Sequence, residues 1–196
     1  MRMAAVAFAF LGTCLVAASA GAARADTFED EVLAEINFAR ANPDRYAREL
    51  RRHDAAYERG GVYDDPEAVE EAVDFLMRQR PVPPLRRDVK VAAAAAAHAD
   101  AQGPRGSVGH GAPGSLGRRL QTHGVWAGLA AESISYGQST ARDVVRQLVV
   151  DAGVPGRGHR RDIFNGAYQV AGVGCGRHAA WGVMCVIDFA GALPQR

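Results

Sequence analysis

The most constraining feature of the chain is a run of six consecutive alanines at 92–97, within the segment 89–102. Alanine has the highest helix propensity, so this segment predicts a helix. Because its side chains are small on every side, other elements can approach it closely, and we expect it to lie buried in the middle of the domain. His98 lies on this helix. A single His on a buried helix is usually a hydrogen-bonded core residue, and we interpret it so.

Other segments also show apolar residues at helical spacing. They predict helices at 27–42, 44–50, 66–80, 115–124 and 141–151. Within the first helix we expect Asn37 to make core hydrogen bonds, and Arg40 to be a surface or capping charge. The polar stretch 51–65, with its Gly60-Gly61 pair, predicts a loop.

The pattern changes near the C-terminus, where β-branched and aromatic residues predict strands at 170–175 and 181–189. Residues 176–180 between them predict a hairpin loop. Because helices are concentrated early and strands late, the order favours an α+β layered domain over alternating βαβ units.

The first 25 residues resemble a secretory signal peptide: Arg2, then a nearly continuous apolar stretch, then the small-x-small site at 23–25. We expect cleavage there to leave a single domain at 26–196 in a secreted or periplasmic protein, with no remaining membrane span. A single membrane span at residues 3–20 is the alternative.

The formal net charge of the chain is +1, and loss of Arg2 and Arg24 would leave it near neutral. This balance gives no bulk electrostatic reason to bind nucleic acid.

Of the three cysteines, Cys14 lies in the predicted signal, which leaves Cys175 and Cys185. An even pair in an exported chain favours a disulfide, here across the predicted hairpin. A redox pair or a metal site would need closer spacing or more ligands.

The segment 151–164 carries the main candidate site. Three glycines and a proline within 153–158 form a shaped loop that can place Asp151 and His159 on one wall. His110, between two glycines, and Glu132 offer the same chemistry. We expect these four residues to meet in one cleft.

Such a cleft could bind a divalent cation such as zinc, perform acid–base chemistry, or form a purely structural polar network. Other catalytic signatures are missing: the sequence contains no HExxH motif, no G-x-S-x-G elbow and no P-loop.

Six segments in order resemble the CAP or SCP superfamily of cysteine-rich secretory, antigen 5 and pathogenesis-related proteins, its bacterial secreted branch above all. The segments are VLAEINFAR, PLRRDVKVAAAAAAHA, GHGAPGSLGRRLQTHG (the first His segment with its following Arg), AAESISYG, DAGVPGRGHRRDIFN, and the closing strands VAGVGC and VMCVIDFA. They extend over most of 28–190.

The resemblance implies a three-layer α-β-α sandwich with a central antiparallel sheet, and a cavity formed by His110, Glu132, Asp151 and His159. Of these, His110 and His159 are the expected metal ligands. The sequence departs from the family at Ser133, where Asn is usual, and at Asp151, where many members have Glu. The segment near 51–80 resembles a helical insertion into the minimal domain.

The resemblance implies an extracytoplasmic domain but no settled reaction. We expect the protein to be a monomer. We expect the cleft to bind a divalent cation, zinc or another, or a small extracellular ligand. The alternatives are a metal-assisted or acid–base hydrolase of peptide or envelope polymer, and a module that binds a lipid or another envelope component.

Overall fold

A computed structural model of the chain describes residues 27–59 and 65–193, so the proposed signal peptide and the Gly60-Gly61 pair lie outside the described residues. Within these ranges, no helix combines the length and the apolarity needed to cross a membrane. The elements in chain order are α1 (Phe28–Ala41), α2 (Pro43–Arg59), α3 (Pro66–Arg78), β1 (Arg86–Arg87), α4 (Val89–Gln102), a 3₁₀ turn (Gly103–Arg105), α5 (Ser115–Thr122), β2 (Ala130–Tyr136), α6 (Ala141–Val150), α7 (Gly158–Ile163), β3 (Val170–His178) and β4 (Gly182–Ala190).

The sheet has the strand order β1-β3-β4-β2. Strands β2, β3 and β4 are antiparallel, whereas the short β1 pairs in parallel with β3. One face of the sheet packs against α1, α2, α3 and α6 in the largest apolar core, and the other face packs against α4 and α5. The predicted α+β sandwich is therefore confirmed, with one short parallel strand in addition.

Helix α4 spans the residues predicted for it and lies unusually close to β3. Gly172 and Gly174 of β3 face the helix, and a Cβ added at these positions would lie 2.0 Å from the backbone nitrogen of Ala92 and 2.2 Å from that of Ala96. The predicted close approach thus occurs between backbones. The helix is a layer on one face of the sheet and not the centre of the domain, since Lys90 and Asp100 are exposed.

Helix α1 begins as predicted, with a capping box in which Thr27 and Asp30 exchange hydrogen bonds between side chain and backbone. Asn37 donates to the carbonyl of Leu85 at 3.0 Å and accepts from its N–H at 2.8 Å. The prediction that Asn37 makes core hydrogen bonds is confirmed.

Arg40 is fully buried, so its prediction as a surface or capping charge is wrong. Its guanidinium donates to the carbonyls of Pro83 (2.7 Å), Ile163 (2.5 Å) and Asn165 (3.1 Å). Burial lowers the pKa of Arg40 to about 10, which leaves it charged at neutral pH. The residue links α1 to the segment before β1 and to the C-terminal end of α7, and sequence spacing does not show that role.

Two predicted loops are shorter than expected. Helix α2 continues to Arg59, so the prediction of a loop at 51–59 is wrong. The helix continues because residues 44–59 contain no Gly or Pro that would end it. The remaining part of the segment near 51–80 is dominated by α3, and its status as an insertion stays a prediction. In the final hairpin, Gly176 and Arg177 still pair with β4, so the loop begins only after His178.

The predicted disulfide is confirmed. Cys175 and Cys185 are direct partners in the register of β3 and β4, with their Cα atoms 4.1 Å apart, and their sulfur atoms are bonded. The bond joins adjacent strands at the sheet face that contacts the largest core.

The contact between α4 and β3 predicts a sharp difference between two glycines of one strand. Gly172→Ala should destabilise the protein by about 1–3 kcal/mol, because the new methyl group meets backbone that has no room to move. Gly176→Ala is the matched control: its Cβ would lie 3.8 Å from the nearest atom, the Cβ of Ala99, so we expect little loss. Urea unfolding of both variants measures the difference, and equal stabilities would contradict the proposed contact.

Candidate functional site

His110 and Glu132 form one half of the site. His110 lies between Gly109 (φ 88°) and Gly111 (φ 75°), whose left-handed backbone turns the loop so that the imidazole meets β2. Its Nδ1 lies 2.8 Å from Oε1 of Glu132. The Glu132 side chain is 2% exposed and that of His110 56% exposed, so a buried carboxylate orients an accessible imidazole.

Two further residues surround the Glu132 carboxylate. The Arg119 guanidinium, from α5, donates to Oε2 of Glu132. His98 lies on the other side, with Nε2 4.0 Å from Oε1 and hydrogen-bonded to the carbonyl of Gly109 at 3.1 Å. His98 is thus a buried, hydrogen-bonded residue as interpreted, but it belongs to the wall of the site.

Asp151 and His159 form the second half. Asp151 ends α6 in the left-handed region (φ 55°, ψ 38°), which Asp tolerates better than most residues. One carboxylate oxygen lies 2.7 Å from His159 Nδ1, and the other accepts from the backbone N–H of His159 at 2.9 Å. The carboxylate therefore orients the imidazole and also accepts a hydrogen bond from a backbone N–H in the first turn of α7.

The two halves meet. The ring centroids of His110 and His159 are 6.4 Å apart. An open cavity of about 380 Å³ lies beside them, lined by 110–116, Ala131, Glu132 and Asp162. Asp151 and His159 flank this cavity without lining it. The structure thus brings together the four residues predicted from the sequence, as two imidazole–carboxylate pairs.

Asp188 is a buried acid behind the site that the sequence did not reveal. It lies opposite Glu132 in the β2–β4 register, and among the described residues neither of its carboxyl oxygens has a hydrogen-bond partner. Burial, and secondly the negative charge of Glu132, raise the pKa of Asp188 to about 8. The raised pKa favours the neutral form of Asp188, next to a Glu132 carboxylate that is paired with Arg119.

Glu71, on α3, anchors the second half. Its carboxylate accepts from Arg157 at 2.5 Å and from Arg160 at 3.0 Å. Arg160 is buried and also donates to the carbonyls of the last two residues of α6, while Arg157 donates to the carbonyl of Asp151 at 2.7 Å. One acid on α3 thus holds both arginines that fix the loop between α6 and α7.

Sequence reasoning missed three of these residues: Asp188, Glu71 and Arg160. No local pattern marks Asp188 or Glu71, because their partners are distant in the chain. Arg160 contacts the nearby end of α6, but its charged partner Glu71 is distant in the chain. Arg119 was not missed in this way. The sequence resemblance placed an arginine after the first His segment, and in the structure Arg119 donates to Glu132.

The arrangement is compatible with a cation only in part. Among the described residues, no group of three or more His, Cys, Asp or Glu side chains is set to hold a metal ion. A zinc–nitrogen distance of about 2.1 Å puts each ring centroid about 3.2 Å from the metal, so two tetrahedral ligands have centroids roughly 5 Å apart. The observed 6.4 Å requires the two rings to approach by about 1 Å.

The pair formed by His110 and Glu132 predicts a titration shift. The hydrogen bond that the Nδ1–H of His110 donates to Glu132 raises the pKa of His110 above 6.5, against the opposing effect of burial. Protonated His110 therefore favours the native state; this contribution is complete below pH 6.5 and disappears as the pH rises through the raised pKa. NMR titration of the metal-free protein should show this midpoint, and Glu132→Gln should lower it.

Asp151→Asn is the control for that titration, because Asp151 pairs with His159 and not with His110. It should leave the His110 midpoint in place. A midpoint at the ordinary value in the unchanged protein would contradict the assigned hydrogen bond.

The anchor on α3 predicts a second contrast. Glu71→Gln should lower the free energy of unfolding by about 1–3 kcal/mol, because buried Arg160 loses its charged partner. Glu70→Gln removes only an exposed pair with Arg51 at 3.2 Å and should cost about 0–1 kcal/mol. Chemical denaturation distinguishes them, and equal losses would show that Glu71 is no more than a surface charge.

Three solved structures are similar to this chain. An extracellular SCP-domain protein from Bacillus anthracis is 23% identical, with a TM-score of 0.49, and the match covers 63% of this chain and 40% of that one. A cysteine-rich secretory protein from Staphylococcus aureus is 17% identical (TM-score 0.47; 67% of this chain, 40% of that one). An outer surface protein from Borrelia burgdorferi is 16% identical (TM-score 0.46; 64% and 87%).

The matched part therefore spans less than half the length of the first two proteins. No curated protein matches the sequence. The model of the cysteine-rich secretory protein family, CAP, matches residues 33–189, which is most of the chain and includes all four residues of the cleft. The resemblance that the sequence suggested is confirmed: this chain belongs to the CAP family.

Proposed function

We propose that this protein is an exported CAP-domain protein whose cleft binds a divalent cation, zinc or one of similar preference, through Nε2 of His110 and of His159. One observation carries the proposal: each imidazole has its Nδ1 hydrogen-bonded to its own buried carboxylate, Glu132 or Asp151. Histidine ligands of metals typically have this second partner.

The hydrogen bonds determine which nitrogen is available. An ionised carboxylate accepts hydrogen bonds and does not donate them, so Nδ1 of each neutral ring carries the hydrogen. Nε2 then keeps its lone pair, the form that binds a metal. Both imidazoles are accessible at their outer ends, with side-chain exposures of 56% for His110 and 20% for His159.

The charges nearby favour a cation. Asp162 lines the cavity beside His110, and Asp151 adds a carboxylate beside His159, while Arg119 is paired with Glu132 and Arg157 lies near Asp151. With two protein ligands, water or a bound substrate would complete the coordination shell. We therefore expect weaker binding than in structural zinc sites, where four protein ligands close the shell.

Calorimetric titration with zinc tests the proposal. The unchanged protein should bind one ion per chain, and the double variant His110→Ala/His159→Ala should lose that binding. Asp151→Asn should weaken it about 10–100-fold, because the carboxylate fixes the ring that binds the metal. His123→Ala is the matched control: His123 is half-buried at the end of α5 and does not line this cleft.

Two results would overturn the cation proposal. One is the absence of zinc binding by protein that circular dichroism shows to be folded. The other is equal binding by the double variant, which would locate the ion elsewhere.

An acid–base hydrolase is the second candidate, favoured by the pair of Asp151 and His159. A carboxylate that orients an accessible imidazole is the usual arrangement of a general base. Turnover of a peptide or envelope polymer that is lost in folded His159→Ala would favour this candidate. Zinc binding without turnover would favour the first.

Export is supported by the family's secretory description and by the disulfide between Cys175 and Cys185, since such bonds persist in oxidising compartments. The compartment, secreted or periplasmic, remains part of the proposal. Lipid binding stays a prediction.

A further inference from the structure

A second cavity lies between α4 and α5, beside the cleft. Its volume is about 470 Å³, within the range of small-molecule pockets. It shares Gly111 and Ser115 with the cleft, so these two residues form a common wall. Neither half of the proposed cation site lines it.

The two cavities differ in charge. Arg118, Arg119 and His123 line the second cavity, and none of its lining residues is acidic. Arg119 is paired with Glu132, whereas Arg118 is exposed and donates to the carbonyl of Pro113 at 3.2 Å. That hydrogen bond to a neutral acceptor holds the Arg118 guanidinium near the pocket without cancelling its charge.

The wall also contains buried polar groups. Arg119 uses one terminal nitrogen for Ser115 and the other for Glu132, and its Nε is buried with no partner among the described residues. Gln102 is nine-tenths buried, and its Oε1 likewise has no partner within the described ranges. Buried polar groups in native proteins are normally satisfied. The unpaired Nε–H of Arg119 is a donor that suits an anion, whereas Oε1 of Gln102 is an acceptor that needs a donor such as water or a ligand hydroxyl.

We propose that this cavity binds a small organic oxyanion: a phosphate monoester or a carboxylate that carries a compact apolar group. Arg118 and His123 meet the anionic group. Ala97 and Ala101 of α4 give the apolar group a flat surface. This function is separate from that of the cleft and does not depend on the cleft's binding a cation.

Calorimetry with phenyl phosphate as the probe tests the proposal. The protein should bind one molecule per chain, and Arg118→Gln should weaken binding about tenfold or more, because it removes a charge-assisted contact. Arg48→Gln is the matched control, since Arg48 is an exposed arginine on α2, across the sheet, with one exposed ion pair to Asp44. It should bind as the unchanged protein does.

Two further probes identify the source of the anion. Inorganic phosphate should bind more weakly than phenyl phosphate, because it cannot contact the alanines. Tighter binding of benzoate than of phenyl phosphate would assign the pocket to carboxylates, and the reverse order to phosphates; either order supports an oxyanion pocket.

The double variant His110→Ala/His159→Ala separates this pocket from the cleft and should retain phenyl phosphate binding. Loss of binding there would place the anion in the cleft and overturn the proposal. Equal affinity of Arg118→Gln and the unchanged protein, or no saturable binding of any of the three probes, would overturn it as well.

Discussion

The domain depends on the contact between the backbones of α4 and β3. It exists because alanine on the helix meets Gly172 and Gly174 on the strand, where a Cβ would lie about 2 Å from helix backbone atoms. The close approach puts His98, near the end of α4, within 4.0 Å of Glu132 on β2. Helix α5 packs on α4 and brings Arg119 to the same carboxylate. Close packing of the α4 and β3 backbones therefore sets the position of the half of the cleft formed by His110 and Glu132.

The other half is fixed by charge. Buried Arg160 donates to two carbonyls at the end of α6 and to Glu71 of α3, and so holds the loop that carries Asp151 and His159. Each imidazole is bound to its own carboxylate. A change of about 1 Å in the separation of the rings thus requires α7 to shift against β2 and leaves both imidazole–carboxylate pairs intact. The ring separation is the property on which cation binding depends.

The features that could be predicted from the sequence are those that depend on neighbouring residues in the chain. The limits of α4, the final strands and the disulfide follow from propensity, period and cysteine count, and the four cleft residues follow from Gly-rich loops and family resemblance. Arg40 shows why the rest could not be predicted. Its spacing on α1 is that of any amphipathic helix, and its burial depends on carbonyls more than 40 residues away in sequence. Glu71 likewise has the sequence context of an ordinary surface glutamate on α3.

Neighbouring acids in the structure differ in charge for reasons that only the fold supplies. Glu132 is paired with Arg119 and His110, whereas Asp188, directly opposite it, is buried without a donor among the described residues, and its pKa is raised, which favours the neutral form. Two charged carboxylates at this point would repel each other across the strands. The neutral form of Asp188 leaves Arg119 able to balance Glu132 alone. The other carboxylates near the two imidazoles are those of Asp151 and Asp162. Gly111 and Ser115, which line both cavities, therefore lie between the proposed cation site and the proposed anion pocket.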